Sequence, residues 1–458
     1  MARQQVTRLV DPLRKLLRRG ATGHAANMLH KLHAADVARL MLPLSDEHRA
    51  TVFGLTLRDA PERAADLISE LDRELAVRLL SDLPDEQVAS IIAELDSDDA
   101  AELLPAMPEE QAERILALMH DSESAPIEGL LAYEEETAGR IMSPEVFALD
   151  EKLPVADAIA ELRTSSEDLE MVFYLYVVDD RRHLVGVCSL RELLLADPHT
   201  ALREVMNAHV ISVTTHTDQE DVARLVARYD LLALPVVDDE NKLVGIITVD
   251  DVIDIIREEE TEDMLLMAGV GEGDEEGVLR ASLGRSIWLR MPWLLVAWLG
   301  GMLASQVIGN FTPLLQEVVW LAAFIPIVAG MGGNAGTQSA TIIVRGLATG
   351  KIAAAGGGFR VALREVRVAF VMGVLFGLLA GGTLTWFLAD WHIGVIVGAA
   401  IATSMTLAAA VGTTMPMVLR RFGVDPAVAT GPFVTTSIDV IGVLAYFAIA
   451  SALLVFVG

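Results

Sequence analysis

The chain has 458 residues, a formal net charge of −29 and 52% hydrophobic residues. Residues 286–458 carry 8 basic residues (Lys and Arg) and 5 acidic residues (Asp and Glu). Residues 1–285 therefore hold the other 27 basic and 59 acidic residues, which gives this part a net charge of −32. This acidic part repels nucleic acid and attracts cations, and the single cysteine, Cys188, excludes an intrachain disulfide and a cysteine-cluster metal site.

The N-terminal part is predicted to be a helical repeat. Its first 20 residues are basic and amphipathic and lack the apolar core of a signal peptide, so we expect the acidic region to stay in the cytoplasm. A cap residue, acidic residues and an apolar pair then recur every 12 residues, as in Leu71-Asp-Arg-Glu, Leu83-Pro-Asp-Glu, Leu95-Asp-Ser-Asp and Met107-Pro-Glu-Glu. This pattern predicts short capped helices that stack into an all-α superhelix over residues 1–135.

Residues 136–256 show a twofold α/β pattern. The first copy has predicted strands over residues 171–180 and 183–190. The second has a helix over residues 219–229, followed by strands over 234–239 and 243–251. This pattern resembles a pair of cystathionine-β-synthase (CBS) domains.

The run from Gly245 to Asp251 is similar to the closing motif of CBS domains. By this resemblance, Thr248 and Asp251 would hold the ribose and phosphate of an adenine nucleotide, which leaves ATP open as a ligand. In the first copy, Glu192 stands where an Asp is expected.

The C-terminal part is predicted to be a membrane domain. A charged connecting helix and linker occupy residues 257–285, and residues 286–458 contain five apolar runs long enough to cross a bilayer. The predicted spans are residues 287–309, 318–344, 366–389, 392–419 and 427–457. Lys and Arg cluster after the second and fourth spans, so we expect an inner-membrane protein with the N-terminus inside and the C-terminus outside.

Polar stripes run along three of the spans. The last one carries Asp439, whose helical face also holds Thr435, Thr436, Gly442 and Tyr446. The second and fourth spans carry Asn334, Thr337, Gln338, Thr341 and Arg345, and Thr403, Thr406, Thr413 and Thr414. A membrane carboxylate costs about 2.5–3.5 kcal/mol to insert, which favours a functional role. A twofold dimer would bring two Asp439 carboxylates together, an arrangement that suits hydrated Mg²⁺.

The domain order and two motifs resemble the MgtE family of magnesium channels. The motifs begin at Gly332-Gly-Asn-Ala-Gly-Thr-Gln and at Asp425-Pro-Ala-Val-Ala-Thr-Gly-Pro. The resemblance implies a homodimer in membrane lipid, with pore residues Asp439, Thr435, Asn334, Gly431 and Pro432. It also implies Mg²⁺ ligands at Asp439, Glu62, Glu94, Asp98, Asp218, Glu220, Asp230, Asp251, Asp254, Glu259, Glu262, Asp263 and Asp425. Gly431 stands where some members have Asn.

These features predict a non-enzymatic Mg²⁺ channel or transporter that imports Mg²⁺ and is closed by Mg²⁺ on its acidic cytosolic part. Two alternatives are a carrier of broader specificity for divalent cations such as Mg²⁺ and Co²⁺, and a membrane receptor whose CBS pair senses nucleotides without transport. An intramembrane aspartyl protease would need two carboxylates, and the predicted spans hold only Asp439.

Overall fold

The computed structural model describes residues 2–59, 61–165, 173–271, 278, 282–352, 357–429 and 431–457. The chain divides into two compact units, residues 1–256 and residues 257–458. The predicted start of the first CBS strand, at Met171, and most of the predicted linker lie outside the described residues.

Short helices make up the N-terminal part of the first unit. They are α1 (Ala2–Arg18), α2 (Thr22–Leu29), α3 (Ala34–Met41), α4 (Asp46–Asp59), α5 (Pro61–Ser69), α6 (Arg73–Ser81), α7 (Asp85–Ile92), α8 (Ser97–Leu103), α9 (Glu109–Leu118) and α10 (Asp121–Leu131), with a 3₁₀ turn at Leu104–Ala106. The predicted 12-residue period is confirmed, because the N-caps of α6 to α9 are Asp72, Pro84, Asp96 and Pro108.

Alternate helices pack against each other and bury the apolar pairs of the repeat. Helix α5 contacts α3 and α7, and α7 contacts α9. Leu79, Leu80, Ile91 and Ile92 are all less than 9% exposed. Among the acids of the first turns, Glu86, Glu109 and Glu110 are exposed, whereas Glu74, Asp85, Asp98 and Asp99 are half-buried.

The two CBS copies each contain a three-stranded sheet. Its strands are ordered β1 (Ala148–Asp150), β2 (Tyr174–Val178), β3 (Leu184–Ser189) in the first copy and β4 (Val213–Thr214), β5 (Ala233–Val237), β6 (Leu243–Thr248) in the second. In each sheet the first pair is parallel and the second antiparallel. The accompanying helices are α11 (Val155–Ser165), α12 (Leu190–Leu195), α13 (Leu202–Val205) and α14 (Gln219–Tyr229). The predicted bounds of α14 are confirmed.

The connecting helix α15 (Val249–Met267) continues directly from β6. The second unit also contains α16 (Leu283–Asn310), α17 (Thr312–Glu317), α18 (Trp320–Ala348), α19 (Gly358–Leu388), α20 (Trp391–Arg421), a 3₁₀ turn at Pro426–Ala429 and α21 (Pro432–Val457). Helix α20 packs against α18, α19 and α21, whereas α16 packs mainly on α21. Helices α18, α20 and α21 therefore form the centre of this unit.

Within the described residues, four regions are long and apolar enough to span a membrane: Leu283–Asn310, Gly358–Leu388, Trp391–Arg421 and Pro426–Leu454. The remaining predicted span, residues 318–344, corresponds to α18, which has 29 residues. Its length suffices for a bilayer, and it carries the polar stripe from Asn334 to Arg345. The second unit thus contains candidate membrane-spanning helices, and the count of five stays a prediction.

Candidate functional site

Asp439 lies in the N-terminal half of α21. It is half-buried and makes no hydrogen bond or ion pair with any residue that the structure describes. Thr435, one turn earlier, is exposed, and its hydroxyl donates to the carbonyl of Gly431 at 3.0 Å. A carboxylate in this position is available to a ligand from outside the chain, and the Thr435 oxygen retains a free lone pair.

The rest of the predicted Asp439 face is packed against other helices. Tyr446 is completely buried, and its hydroxyl donates to the carbonyl of Leu321 in α18 at 2.8 Å. Gly442 is buried against Ser404 of α20. Thr436 lies against Gly300 of α16. On the predicted Asp439 face, Thr435 and Asp439 are thus accessible, whereas Tyr446 is buried because its hydroxyl finds a hydrogen-bond acceptor inside the bundle.

The polar stripe of α18 is exposed along its length, at Asn334, Thr337, Gln338, Thr341 and Arg345. The opposite face is buried and consists of small residues such as Gly332, Gly336 and Ala340. A Cβ at Gly336 would overlap the side chain of Ile438, so α18 and α21 approach closely here. The small residues thus determine which face of α18 packs inward and which remains available for water or a partner.

The predicted threonine stripe of α20 is largely satisfied within its own helix. The hydroxyls of Thr406 and Thr414 donate to the carbonyls of Ala402 and Ala410, both at 2.7 Å. Thr413 is fully buried and donates to Ala409 at 2.8 Å. Its burial contradicts a pore-lining position for Thr413, so helix packing explains this part of the stripe better than an ion path.

Gly431 lies where the connecting helix meets the start of α21. A Cβ built on Gly431 would be 3.3 Å from the carbonyl oxygen of Leu266 and 3.6 Å from that of Met267. Leu266 itself is 2% exposed and packs with Val344 and Ala427. The C-terminal end of α15 therefore covers the N-terminal end of the helix that carries Asp439. Pro432 is the first residue of that helix.

The end of α15 is held by a left-handed glycine. Gly269 has a φ of 71°, and the Val270 amide donates to the Leu265 carbonyl at 2.9 Å, which closes the last turn. The Gly271 amide then donates to the carbonyl of Leu289 in α16 at 3.2 Å. The chain after α15 is thus fixed against the membrane helices.

Charged residues of α15 lie beside the end of α18. Glu260 forms an ion pair with Arg345 at 3.0 Å. The predicted ligands Glu259, Glu262 and Asp263 are half-buried on the same segment. The predicted ligand Asp425 is exposed, and its carboxylate accepts from the Ala427 amide at 2.7 Å, which caps the 3₁₀ turn before α21.

A second group of carboxylates lies in the first unit, between α8 and the start of α15. Burial, followed by the charges of Asp251 and Asp96, raises the pKa of Asp99 to about 7. Burial likewise raises the pKa of Asp251 to about 6, although hydrogen bonds from Thr248 oppose this. Two half-buried carboxylates with raised pKa values gain from any cation that neutralises them.

The other predicted ligands of the first unit do not form one cluster. Glu62, Glu94, Asp218, Asp230 and Asp254 are exposed, whereas Asp98 and Glu220 are half-buried. Asp218 caps α14 by accepting from the Glu220 amide at 2.8 Å, and Glu220 pairs with Arg224 at 2.5 Å. Burial raises the pKa of Glu220, and Arg224 opposes that shift.

Asp99 and Glu145 are two acidic residues that the sequence interpretation missed. The position of Asp99 in the first turn of α8 suggested only helix capping. The neighbouring Glu145 accepts from the hydroxyls of Ser97 and Ser143 at 2.6 and 3.2 Å. The density of acids at residues 96–99 was the available signal, but the approach of Asp251 is a tertiary contact that no local pattern contains.

Thr248 and Asp251 are brought together at the end of the second CBS sheet. The Thr248 hydroxyl donates to the Asp251 carboxylate, and the Thr248 amide donates to it at 3.2 Å. In the first copy, Ser189 and Glu192 form the matching pair, with the Ser189 hydroxyl 2.7 Å from the Glu192 carboxylate. Glu192, which stands where the CBS motif has an Asp, therefore makes the same local hydrogen bond as Asp251.

No three His, Cys, Asp or Glu side chains are placed so as to hold a metal among the residues that the structure describes. This arrangement is compatible with Mg²⁺, which keeps several waters and commonly uses one or two carboxylates. The candidate positions in one chain are therefore the Asp439 region of α21, the acids of α15 and the Asp99–Asp251 pair.

Comparison with known proteins extends this picture over the whole chain. The family model described as a divalent cation transporter matches residues 325–449, the MgtE intracellular N domain matches residues 32–136, and the CBS domain matches residues 138–199 and 202–258. The fold and these matches define a divalent cation transporter with an intracellular N domain and a CBS pair.

Two relatives match almost end to end. The magnesium transporter MgtE of Thermus thermophilus is 38% identical over 465 residues, covering 98% of this chain and 99% of the relative. That of Bacillus subtilis is 34% identical and covers 95% of each. The crystal structure of the cytosolic domain of the Mg²⁺ channel MgtE in complex with ATP aligns with a TM-score of 0.51 and 40% identity, over 54% of this chain and all of that one. The chain belongs to the MgtE family of magnesium transporters.

Proposed function

We propose that this protein carries Mg²⁺ across the cytoplasmic membrane through a path at Asp439, and that Mg²⁺ on its cytosolic carboxylates closes this path. The observation that carries the proposal is the placement of Asp439, half-buried and without a protein partner among the described residues. Relatives named magnesium transporters over nearly the whole chain support the choice of ion.

A homodimer would complete the ion path. One chain supplies one membrane carboxylate and leaves the polar stripe of α18 exposed, from Asn334 to Arg345. Polar side chains facing lipid are costly, so this stripe requires water or a second copy beside it. A twofold axis near α18 and α21 would place two Asp439 carboxylates around a hydrated Mg²⁺, with Asn334, Thr435, Gly431 and Pro432 near the path.

Closure would act through the connecting helix. The end of α15 packs against Gly431, and the acids Glu259, Glu262 and Asp263 lie on the same segment. We propose that these three, with Asp425, bind Mg²⁺ when the helix covers the path. In the first unit, Glu62, Glu94, Asp98, Asp218, Glu220, Asp230, Asp251 and Asp254 are the further proposed ligands.

Mg²⁺ would favour the closed state only by binding it more tightly than the open state. The net charge of −32 on residues 1–285 makes the compact form self-repelling without cations. Bridging ions relieve that repulsion wherever carboxylates approach, as Asp99 and Asp251 do. Rising cytosolic Mg²⁺ therefore closes the path, and falling Mg²⁺ reopens it.

In this arrangement all five long helices cross the inner membrane, with the N-terminus inside and the C-terminus outside, and the N-terminal helices stack as a superhelix. The basic residues at the ends of α18 and α20 support that orientation. Thr248 and Asp251 form a candidate ATP site, supported by the ATP complex of the related cytosolic domain. Transport of other divalent cations is a second candidate function, because the description of the matching family model names divalent cations in general and not Mg²⁺ alone.

Asp439→Asn tests the path directly. This change keeps the side-chain volume and removes the charge that compensates ion dehydration. We expect Mg²⁺ flux into proteoliposomes to fall at least about tenfold, which corresponds to a loss of about 1.4 kcal/mol in the stabilisation of the ion. The oligomeric state should stay unchanged. Normal flux through a folded Asp439→Asn protein would reject Asp439 as an ion ligand.

A further inference from the structure

A row of arginines at the start of α19 has no ion-pair partner among the residues that the structure describes. Arg360, Arg364 and Arg367 are exposed and spaced four and three residues apart, which places them on one helical face. None of them forms an ion pair within the part of the chain that the structure describes. Three guanidinium groups on one face attract an anion with several acceptor oxygens.

This face points away from the bundle. The buried face of α19 consists of Ala362, Ala369, Gly373, Gly377 and Gly381, and it packs against α20. At 3.6 residues per turn, the three arginines lie on the side of the helix opposite to Ala362. The described part of α19 therefore turns its small residues toward protein and its arginines toward the surroundings.

The position along the helix agrees with the headgroup layer of a bilayer. At about 1.5 Å per residue, residues 368–388 span about 31 Å, close to the hydrocarbon thickness of about 30 Å. The arginines occupy the next two turns, which fall in the polar interface. Phe370, at the start of this hydrocarbon stretch, is 54% exposed, so apolar surface for acyl chains adjoins the charged row.

We propose that Arg360, Arg364 and Arg367 form a binding site for the phosphate headgroup of an anionic phospholipid. Charge complementarity and depth favour this occupant over an acidic protein segment, because the exposed Phe370 ring on the hydrocarbon side suits lipid chains. Two further arginines, Arg420 and Arg421, lie at the same end of the bundle, since Gly358 packs against Met417 one turn before them. The site does not depend on which ion the protein carries.

Native mass spectrometry of the full-length protein in mild detergent tests this site, with dioleoylphosphatidylglycerol or dioleoylphosphatidylcholine added in equal amounts. The wild type should retain phosphatidylglycerol preferentially. R360Q/R364Q/R367Q should bind it on the order of 100-fold more weakly, since each basic residue near an anionic surface contributes about fivefold. R360K/R364K/R367K should retain most of the affinity. R181Q/R191Q/R203Q removes the same charge from exposed positions of the CBS pair and should behave as the wild type.

Wild-type retention of phosphatidylglycerol by the triple Gln variant would overturn the proposal. Full displacement of the lipid by an equal concentration of glycerol phosphate would also overturn it, because the site would then take a free anion. A change of oligomeric state in the triple Gln variant with unchanged lipid binding would assign the arginines to a protein contact instead. If the triple variant does not fold, R364Q alone should weaken binding about fivefold, and unchanged binding in R364Q refutes the site.

Discussion

Replacing Gly431 by a larger residue should prevent the connecting helix from closing the path. The backbone of Gly431 is not left-handed, so a side chain is not strained there by conformation. An Ala Cβ would lie 3.3 Å from the Leu266 carbonyl oxygen, about a tenth of an ångström inside ordinary contact, and should be tolerated. The γ-carbons of Val extend about 1.5 Å further, so the end of α15 has to move away.

Overpacking of this kind costs about 1–3 kcal/mol, which corresponds to a factor of about 5 to 150 in an equilibrium. We therefore expect Gly431→Val to raise the Mg²⁺ concentration for half-closure by a factor in that range, and Gly431→Ala to stay near the wild type. Patch recordings measure open probability, from which half-closure is read, separately from unitary conductance, which depends on the ion path. Gly301→Val is the matched control because a Cβ there meets no atom within 4 Å. Closure of Gly431→Val at the wild-type Mg²⁺ concentration would refute the contact as part of the gate.

Two further predictions concern charge. Glu260 and Arg345 are 45% and 58% exposed, so their ion pair contributes at most about 1 kcal/mol. Glu260→Arg and Arg345→Glu should each shift the Mg²⁺ concentration for half-closure severalfold. The double exchange, which restores the pair with its charges reversed, should restore the wild-type concentration. Failure of the double exchange to restore closure would contradict a direct pair. The raised pKa values of Asp99 and Asp251, about 7 and about 6, mean that the folded protein holds protons that the unfolded chain has lost. Their contribution to stability is present below about pH 4 and is lost as the pH rises toward about 7. The melting temperature of the Mg²⁺-free protein should therefore fall as the pH rises toward about 7, and Asp99→Asn should make this fall shallower. An equally steep fall in Asp99→Asn would show that Asp99 is not buried as described.

Local chemistry made much of the fold predictable. The N-caps at Asp72, Pro84, Asp96 and Pro108 follow from cap residues and acidic first turns, whose effect extends over only a few residues. Helix α14 was predictable in the same way, from its Asp218 cap to its last residue, Tyr229.

Features that depend on contacts between helices were less predictable. Periodicity grouped Asp439 with Tyr446, but it could not show that the Tyr446 hydroxyl would reach the Leu321 carbonyl and be buried. It likewise grouped the threonines of α20 without indicating that Thr413 bonds to its own helix. The raised pKa of Asp99 depends first on its burial and then on the charge of Asp251, which is more than a hundred residues away in the chain.

The central claim is that Mg²⁺ passes through this protein and that Mg²⁺ on its cytosolic domain stops the flow. The most direct measurement is Mg²⁺ influx into proteoliposomes of oriented wild-type protein, with the Mg²⁺ concentration on the side of the soluble domain set low or high. The account predicts flux at low Mg²⁺ on that side and a steep loss of flux at high Mg²⁺. No flux at either concentration, or a flux that does not respond to Mg²⁺ on the domain side, would contradict it.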